Sequence, residues 1–295
     1  MGQSGVPADH RIVVIGSGRM ARGIAAALIG THFSVAMVSR SLSRARVAAR
    51  DVARRAGSDN SPDAHKMAAE AFLDADVVIE SVIENEDAKR RVLAQSEEWV
   101  VENALIATNT SSISVESLAE RMERPDRFFG LHFLNPADLT AVVEVAPTSS
   151  TSSASLDRAV RLVRRLGKDP LVVRGDVPGF IWNRLQFALI REALWLLENG
   201  VADSDAIDRA VTHGLAPRWL AAGPLATVDL GGPAVFRAAA ENLFPELADG
   251  AGTIERLRAA EAGTPLRRWE PDELAAVAAR RDRWLTGWRK LTSEV

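Results

Sequence analysis

Short apolar runs rich in β-branched residues alternate with longer segments of helical spacing through the first half of the chain. The runs are Ile12-Val13-Val14-Ile15, Val35-Ala36-Met37-Val38, Asp76-Val77-Val78-Ile79 and Leu105-Ile106-Ala107. None offers a polar face to water, so each must be covered on both sides. Between them, Arg19–Ile29, Leu42–Ala56 and 87–101 carry apolar residues at the helical period. Strands buried on both faces and separated by helices define an α/β fold with a doubly wound parallel sheet. Residues 127–133, 141–145 and 171–173 read as further strands at its far side. The Ser/Thr-rich stretch 148–155 reads as the capping loop of a helix over 156–166. Past Gly175-Asp176-Val177-Pro178-Gly179 the β-branched runs stop, and 181–198, 204–213, 234–247 and 271–291 read as helices. The boundary expected near Val177 divides an α/β domain over 1–177 from an all-helical domain over 178–295.

A chain of 295 residues supplies a real core to each of two such domains. Its net charge of −3 argues against a nucleic-acid or anionic-membrane partner. The absence of cysteine excludes disulfides, thiolate metal ligands and cysteine nucleophiles, and no metal site is expected. Residues 1–10 lack the apolar stretch of a signal peptide. No apolar run approaches the roughly 20 residues that span a bilayer. These features together lead us to expect a soluble, cytoplasmic protein.

Gly16-Ser17-Gly18-Arg19-Met20-Ala21 follows the first strand and opens the first helix, in the form G-x-G-x-x-A. Gly16 permits the tight turn, Gly18 leaves room for a pyrophosphate, and Ala21 lets helix and strand pack closely. The free amides and positive dipole end of the helix then face the phosphates. A dinucleotide is therefore expected here. The second strand ends Val38-Ser39-Arg40-Ser41, with Arg44 one turn on, where an NAD site would carry an acidic residue. Ser39, Arg40, Ser41 and Arg44 suit a 2′-phosphate, so NADP is expected ahead of NAD. The alternative is that Arg40 only stacks on the adenine.

Polar residues cluster where buried strands end, which is where α/β sheets hold ligands. Glu144 lies within the apolar Val142-Val143-Glu144-Val145, and His132 follows Phe128-Phe129-Gly130-Leu131. An unpaired charge inside such a strand costs several kcal/mol, so Glu144 needs a donor. His132, on the neighbouring strand, is the candidate, and a carboxylate-held imidazole is an oriented general base.

At this point the strings assemble. Gly16 to Met20, Ile79-Glu80-Ser81-Val82-Ile83-Glu84, Asn109-Thr110-Ser111-Ser112, His132-Phe133-Leu134-Asn135-Pro136 and Gly179-Phe180-Ile181-Trp182-Asn183-Arg184 resemble the 3-hydroxyacyl-CoA dehydrogenase family, in whose order they occur over 11–231. The resemblance implies a Rossmann-like domain followed by a helical domain that forms the interface of a homodimer. It implies that His132 is the catalytic base, that Glu144 is its paired carboxylate, and that Ser111 and Asn183 place the substrate oxygen. It also implies that Glu84 and Lys89 form a pair on the nicotinamide side, with Asn109 in the same loop.

Two departures bear on substrate. Between the second strand and Asp76 the family carries a lysine-bearing helical hairpin that touches CoA. Here the stretch has Arg44, Arg46, Arg50, Arg54 and Arg55 and then turns polar. Such a helix reads first as a solvated face, and otherwise as a contact for CoA phosphates or an acidic acyl carrier protein. Beyond His213, the string Gly214-Leu215-Ala216-Pro217-Arg218-Trp219 resembles the L-gulonate dehydrogenase and lambda-crystallin branch. In that setting Arg218 either clamps a free carboxylate or pairs at a helix end. The readings, in order, are a dehydrogenase of 3-hydroxyacyl thioesters on CoA or carrier protein, a dehydrogenase of a free polar hydroxy acid such as a sugar acid, and an idle dinucleotide-binding structural protein. The joint presence of His132, Glu144, Ser111 and Asn183 speaks against the last.

Overall fold

In a computed structural model the described residues are 11–31, 33–249, 257–258, 260–261, 266, 270 and 272–292. Residues 1–10, expected to carry no signal peptide, lie outside them. By their contacts the described residues fall into two compact units, one within Met1–Trp182 and Val277–Val295, the other within Asn183–Ala276.

The first unit is built on an eight-stranded sheet with strand order β3-β2-β1-β4-β5-β6-β7-β8. The strands are β1 (Arg11–Ile15), β2 (Ser34–Ser39), β3 (Asp63–Lys66), β4 (Val77–Glu80), β5 (Leu105–Thr108), β6 (Phe128–Phe133), β7 (Val142–Pro147) and β8 (Asp169–Val172). The helices α1 (Arg19–Ile29), α2 (Leu42–Ala56), α3 (Glu86–Trp99), α4 (Val115–Ala119) and α5 (Ser153–Arg165) flank it. Alternation along each strand feeds two faces. Ile12, Val14, Val35, Met37, Val77 and Ile79 pack in one cluster with Ile24 and Leu28 of α1, Val52 of α2 and Leu162 of α5. Val13, Ile15, Val38 and Val78 pack on the opposite side with Phe72. Farther along that side, Ile106, Phe128 and Ala146 meet Leu93 of α3 and Val115 and Leu118 of α4.

The doubly wound sheet is parallel through β6 and changes direction once, at its far side. β7 runs antiparallel to β6, and β8 follows β7 in parallel. The physical reason is the connection 134–141, which is too short for the crossover a parallel strand requires. β3 is a departure from expectation: 58–63 reads as merely polar in the sequence, yet it leads into a short edge strand paired in parallel with Ser39 and its neighbours. The interval between β2 and β4 thus holds one α-helix, β3 and the single turn Ala69–Ala71, with no helical hairpin.

The second unit is helical. Its elements are α6 (Trp182–Glu198, whose first residue belongs to the other unit), α7 (Ser204–Arg209), the π-turn Ala210–Leu215, α8 (Ala216–Ala221), α9 (Pro224–Gly231) and α10 (Pro233–Leu243). The single helix expected over 204–213 continues through the π-turn into α8. A final helix, α11 (Glu273–Thr292), follows, and from Val277 onward it belongs to the first unit. No helix among the described residues is long and apolar enough to cross a membrane.

The strand order reverses between β1 and β4, which opens the crevice where such sheets hold ligands. Gly16 closes one side of it at φ +136°, and a Cβ there would stand 2.3 Å from the Ser81 carbonyl oxygen and 3.1 Å from the Ala21 Cβ. Gly16→Ala is expected to lower stability by about 2–3 kcal/mol through strain and this clash. Gly18→Ala, whose Cβ would meet nothing within 4 Å, should leave stability within about 0.5 kcal/mol. Urea unfolding midpoints check the contrast, and equal midpoints for the two variants would refute it.

Candidate active site

Three loops are stitched to the carboxyl edge of the sheet by backbone hydrogen bonds. Gly16 N donates to Val38 O at 2.8 Å, Ser81 N to Ile15 O at 2.8 Å, and Asn109 N to Glu80 O at 2.7 Å. The segment after β1 then enters α1 with Gly18 as its N-cap and no side chain capping the first turn. Open space above Gly18 and uncapped amides at Arg19, Met20 and Ala21 fit a pyrophosphate. Met20 itself packs against the core, so its contribution there is its backbone. Ser39, at the end of β2, is buried and lies with its hydroxyl 3.4 Å from that of Ser17. Arg40 and Arg44 follow as exposed residues.

Antiparallel pairing of β6 with β7 sets His132 directly opposite Glu144. Both side chains fall on the sheet face that also carries Phe128 and Ala146. His132 is 6% exposed and Glu144 is fully enclosed, with Nδ1 of the imidazole 2.6 Å from Oε2 of the carboxylate. The other oxygen, Oε1, accepts from the backbone N–H groups of Ile181 and Trp182, each at 2.8 Å. Desolvating a carboxylate costs several kcal/mol, and three hydrogen bonds offset that cost. Phe180 completes the clamp. Its ring packs 5.4 Å from the His132 ring, and its backbone is held at φ +52°. The sequence gives no signal for the two amides, because a backbone N–H has no residue type.

A second buried network lies at the ends of β4 and β5. Lys89 is fully enclosed, and its ammonium sits 3.0 Å from both oxygens of Glu80 and 3.4 Å from Glu84. Glu80 also accepts from Val82 N and from the Thr108 hydroxyl, at 2.6 and 2.7 Å. The family resemblance implies the pair of Lys89 with Glu84, and the structure adds Glu80 as the nearer partner. The signal was present, since Glu80 ends an apolar strand as Glu144 interrupts one. The ammonium of Lys89 is thus taken up inside, between Glu80 and Glu84.

One oxygen of Glu84 gathers donors from the loop after β5: the hydroxyl of Thr110 at 2.7 Å, the amides of Ser111 and Ser112 at 2.8 and 2.9 Å, and both serine hydroxyls. Burial works against the charged form of Glu84. The Thr110 hydroxyl, the two amides and the Lys89 charge outweigh it and lower the carboxyl from 4.5 to about 2. Asn109 spans to the next strand, accepting from Phe133 N at 2.9 Å beside His132. Asn183 is the first residue of the second unit, directly after the Trp182 amide that holds Glu144. Arg218 lies exposed on α8.

A folded-state carboxyl lowered to about 2 contributes stability above its ordinary 4.5 and loses it as pH falls through that window. Melting temperatures of the parent chain should therefore fall more steeply between those values than those of Glu84→Gln. Parallel curves would show that the donors around Glu84 do not favour its charged form.

Residues 11–177 match the family model described as 3-hydroxyacyl-CoA dehydrogenase, NAD binding domain. Residues 179–263 match 3-hydroxyacyl-CoA dehydrogenase, C-terminal domain. The chain is 30% identical over 230 residues to 5-formyl-3-hydroxy-2-methylpyridine 4-carboxylate 5-dehydrogenase of Mesorhizobium japonicum, covering 75% of this chain and 74% of that one. It is 34% identical over 218 residues to 3-hydroxybutyryl-CoA dehydrogenase of Bradyrhizobium diazoefficiens, covering 69% and 74%. A crystal structure of 5-formyl-3-hydroxy-2-methylpyridine 4-carboxylic acid 5-dehydrogenase, an NAD+ dependent dismutase, superposes with a TM-score of 0.85 at 26% identity, over 96% of this chain and 98% of that one.

Proposed function

The chain belongs to the 3-hydroxyacyl-CoA dehydrogenase family, and from that premise we propose that it transfers hydride between a nicotinamide dinucleotide and a substrate carbon bearing a hydroxyl or ketone, with His132 moving the proton. The observation that carries this is the 2.6 Å contact of His132 Nδ1 with Glu144. The dinucleotide, when bound, supplies or accepts the hydride. Nδ1–H of His132 donates to Glu144, which leaves Nε2 to exchange a proton with substrate. In oxidation His132 takes the hydroxyl proton, and in reduction it returns one. Ser111 and Asn183 position the oxygen that gains or loses that proton. Gly16, Gly18 and the first-turn amides of Arg19, Met20 and Ala21 hold the pyrophosphate, and Glu84, Asn109 and the Lys89 behind it form the nicotinamide side. Ser39, Arg40 and Arg44 support NADP(H) ahead of NAD(H).

For the substrate, thioester and free acid both find a relative. The Bradyrhizobium protein is named for a CoA thioester, and the Mesorhizobium protein for a pyridine carboxylate. A single helix and an edge strand, where the family's CoA-contacting hairpin would stand, favour the free acid. Arg218 is then the candidate clamp for its carboxylate. The apolar side chains Leu225, Leu230, Val235 and Phe244 on the second unit, 81, 80, 67 and 71% exposed, suit burial against a second copy in a homodimer.

Purified chain assayed with NADPH on acetoacetyl-CoA and on a panel of free keto acids tests both levels. His132→Gln should lower turnover about 10²–10⁴-fold and leave cofactor affinity intact. Near-normal turnover in that variant would remove the base from His132. Higher efficiency on acetoacetyl-CoA than on every free acid would return the thioester reading to first place.

A further inference from the structure

A cleft of about 360 Å³ lies between the glycine turn and the first turn of α2, lined by Ser17, Arg22, Ser43, Arg44 and Val47. Two of its five lining residues are cationic, two are hydroxyls, and none is acidic. The cleft is far larger than the ~10–15 Å³ that admits a single water, and so has room for a tetrahedral anion.

Its cations are held differently. Arg22 is fixed from behind, its Nε donating to Ser17 O at 3.0 Å and its NH1 3.4 Å from Asp51. Asp51 is shared, because Arg54 also pairs with it. One carboxylate therefore faces two guanidinium groups, which leaves net positive charge on this side of α2. Arg44 is exposed, and its side chain makes no hydrogen bond or ion pair among the described residues. Among the described residues the Ser43 hydroxyl hydrogen-bonds only to that of Ser41, at 3.2 Å, and the first turn of α2 carries no acidic residue. An anchored cation, a free one and two hydroxyls around one cleft make a receptor for a doubly charged, many-acceptor group. A ribose hydroxyl would use little of that charge.

We propose that this cleft is a phosphomonoester subsite in which Ser43, Arg44 and the anchored Arg22 receive the 2′-phosphate of an adenosine. The inference rests on the NADP(H) reading above and adds to it Ser17, Arg22 and Ser43, which the sequence did not single out. Ser43 carries the sharpest discrimination. It stands in the first turn of α2, where a carboxylate is favourable to the helix, so Ser43→Asp keeps the fold while placing a negative charge in the cleft.

Binding by the full chain, read from the fluorescence of NADPH and NADH, tests it without turnover. Ser43→Asp should weaken NADPH by roughly tenfold or more through charge repulsion and leave NADH within about twofold. Arg44→Ala should weaken NADPH in the same selective way, and Arg22→Gln should follow it. Competition should rank 2′-AMP well ahead of 5′-AMP and of inorganic phosphate in the parent chain, and that ranking should vanish in Ser43→Asp. Selective loss of NADPH affinity at Ser43→Asp with this ranking supports the subsite. NADPH bound more tightly than NADH, yet indifferent to all three substitutions, overturns the subsite alone. A parent chain that binds NADH more tightly overturns the cofactor reading and the subsite with it.

Discussion

The reversal of chain direction between β6 and β7 is the constraint on which the candidate site depends. Up to β6 the sheet is parallel, and parallel neighbours are separated by whole helices. The connection 134–141 leaves no room for one, so the chain must fold back on itself. In an antiparallel pair residues face one another across the ladder, and here His132 faces Glu144. Twelve positions in sequence become 2.6 Å in space. A parallel β7 could not be reached through so short a connection, so the fold-back is what sets these two residues opposite each other. The charge in an otherwise apolar strand is thereby given its donor, and the imidazole is given an orientation.

The carboxylate does more than face the histidine. Its second oxygen holds the Ile181 and Trp182 amides, so the entry to α6 is tied to the sheet through the same group that orients His132. Phe180, at positive φ and packed on the imidazole, belongs to that tie. Loss of Glu144 would thus release the histidine and the start of α6 together. The Glu80–Lys89 pair plays a parallel part at the next strand ends. It is enclosed, multiply hydrogen-bonded, and backs the Glu84 carboxylate, which gathers the loop after β5. Breaking such a buried pair by removing one partner typically costs about 3–5 kcal/mol.

The parts legible in the sequence were those whose physics is written in side chains. β1, β2, β4 and β5 announce themselves because both faces are buried, and α1 and α2 fall on Arg19–Ile29 and Leu42–Ala56, as their spacing indicates. His132 and Glu144 were legible because a charge in an apolar strand demands a partner. β3 was not, since Asp63-Ala64-His65-Lys66 is a short polar edge with no apolar alternation to read. The direction of β7 was also hidden, as hydrophobic period is blind to strand polarity. Only the length of the preceding connection carried that information. Glu80 was within reach of the same reasoning that found Glu144, but the amides of Ile181 and Trp182 were not.

The proposed proton transfer requires His132 and Glu144 to act as one unit. A double-mutant cycle on turnover, comparing His132→Gln, Glu144→Gln and the double variant with the parent chain, measures this directly. Residues acting as a unit are strongly non-additive, so the double variant should be about as slow as His132→Gln alone. A double variant slowed by the full product of the two single effects would contradict the pairing as the source of catalysis.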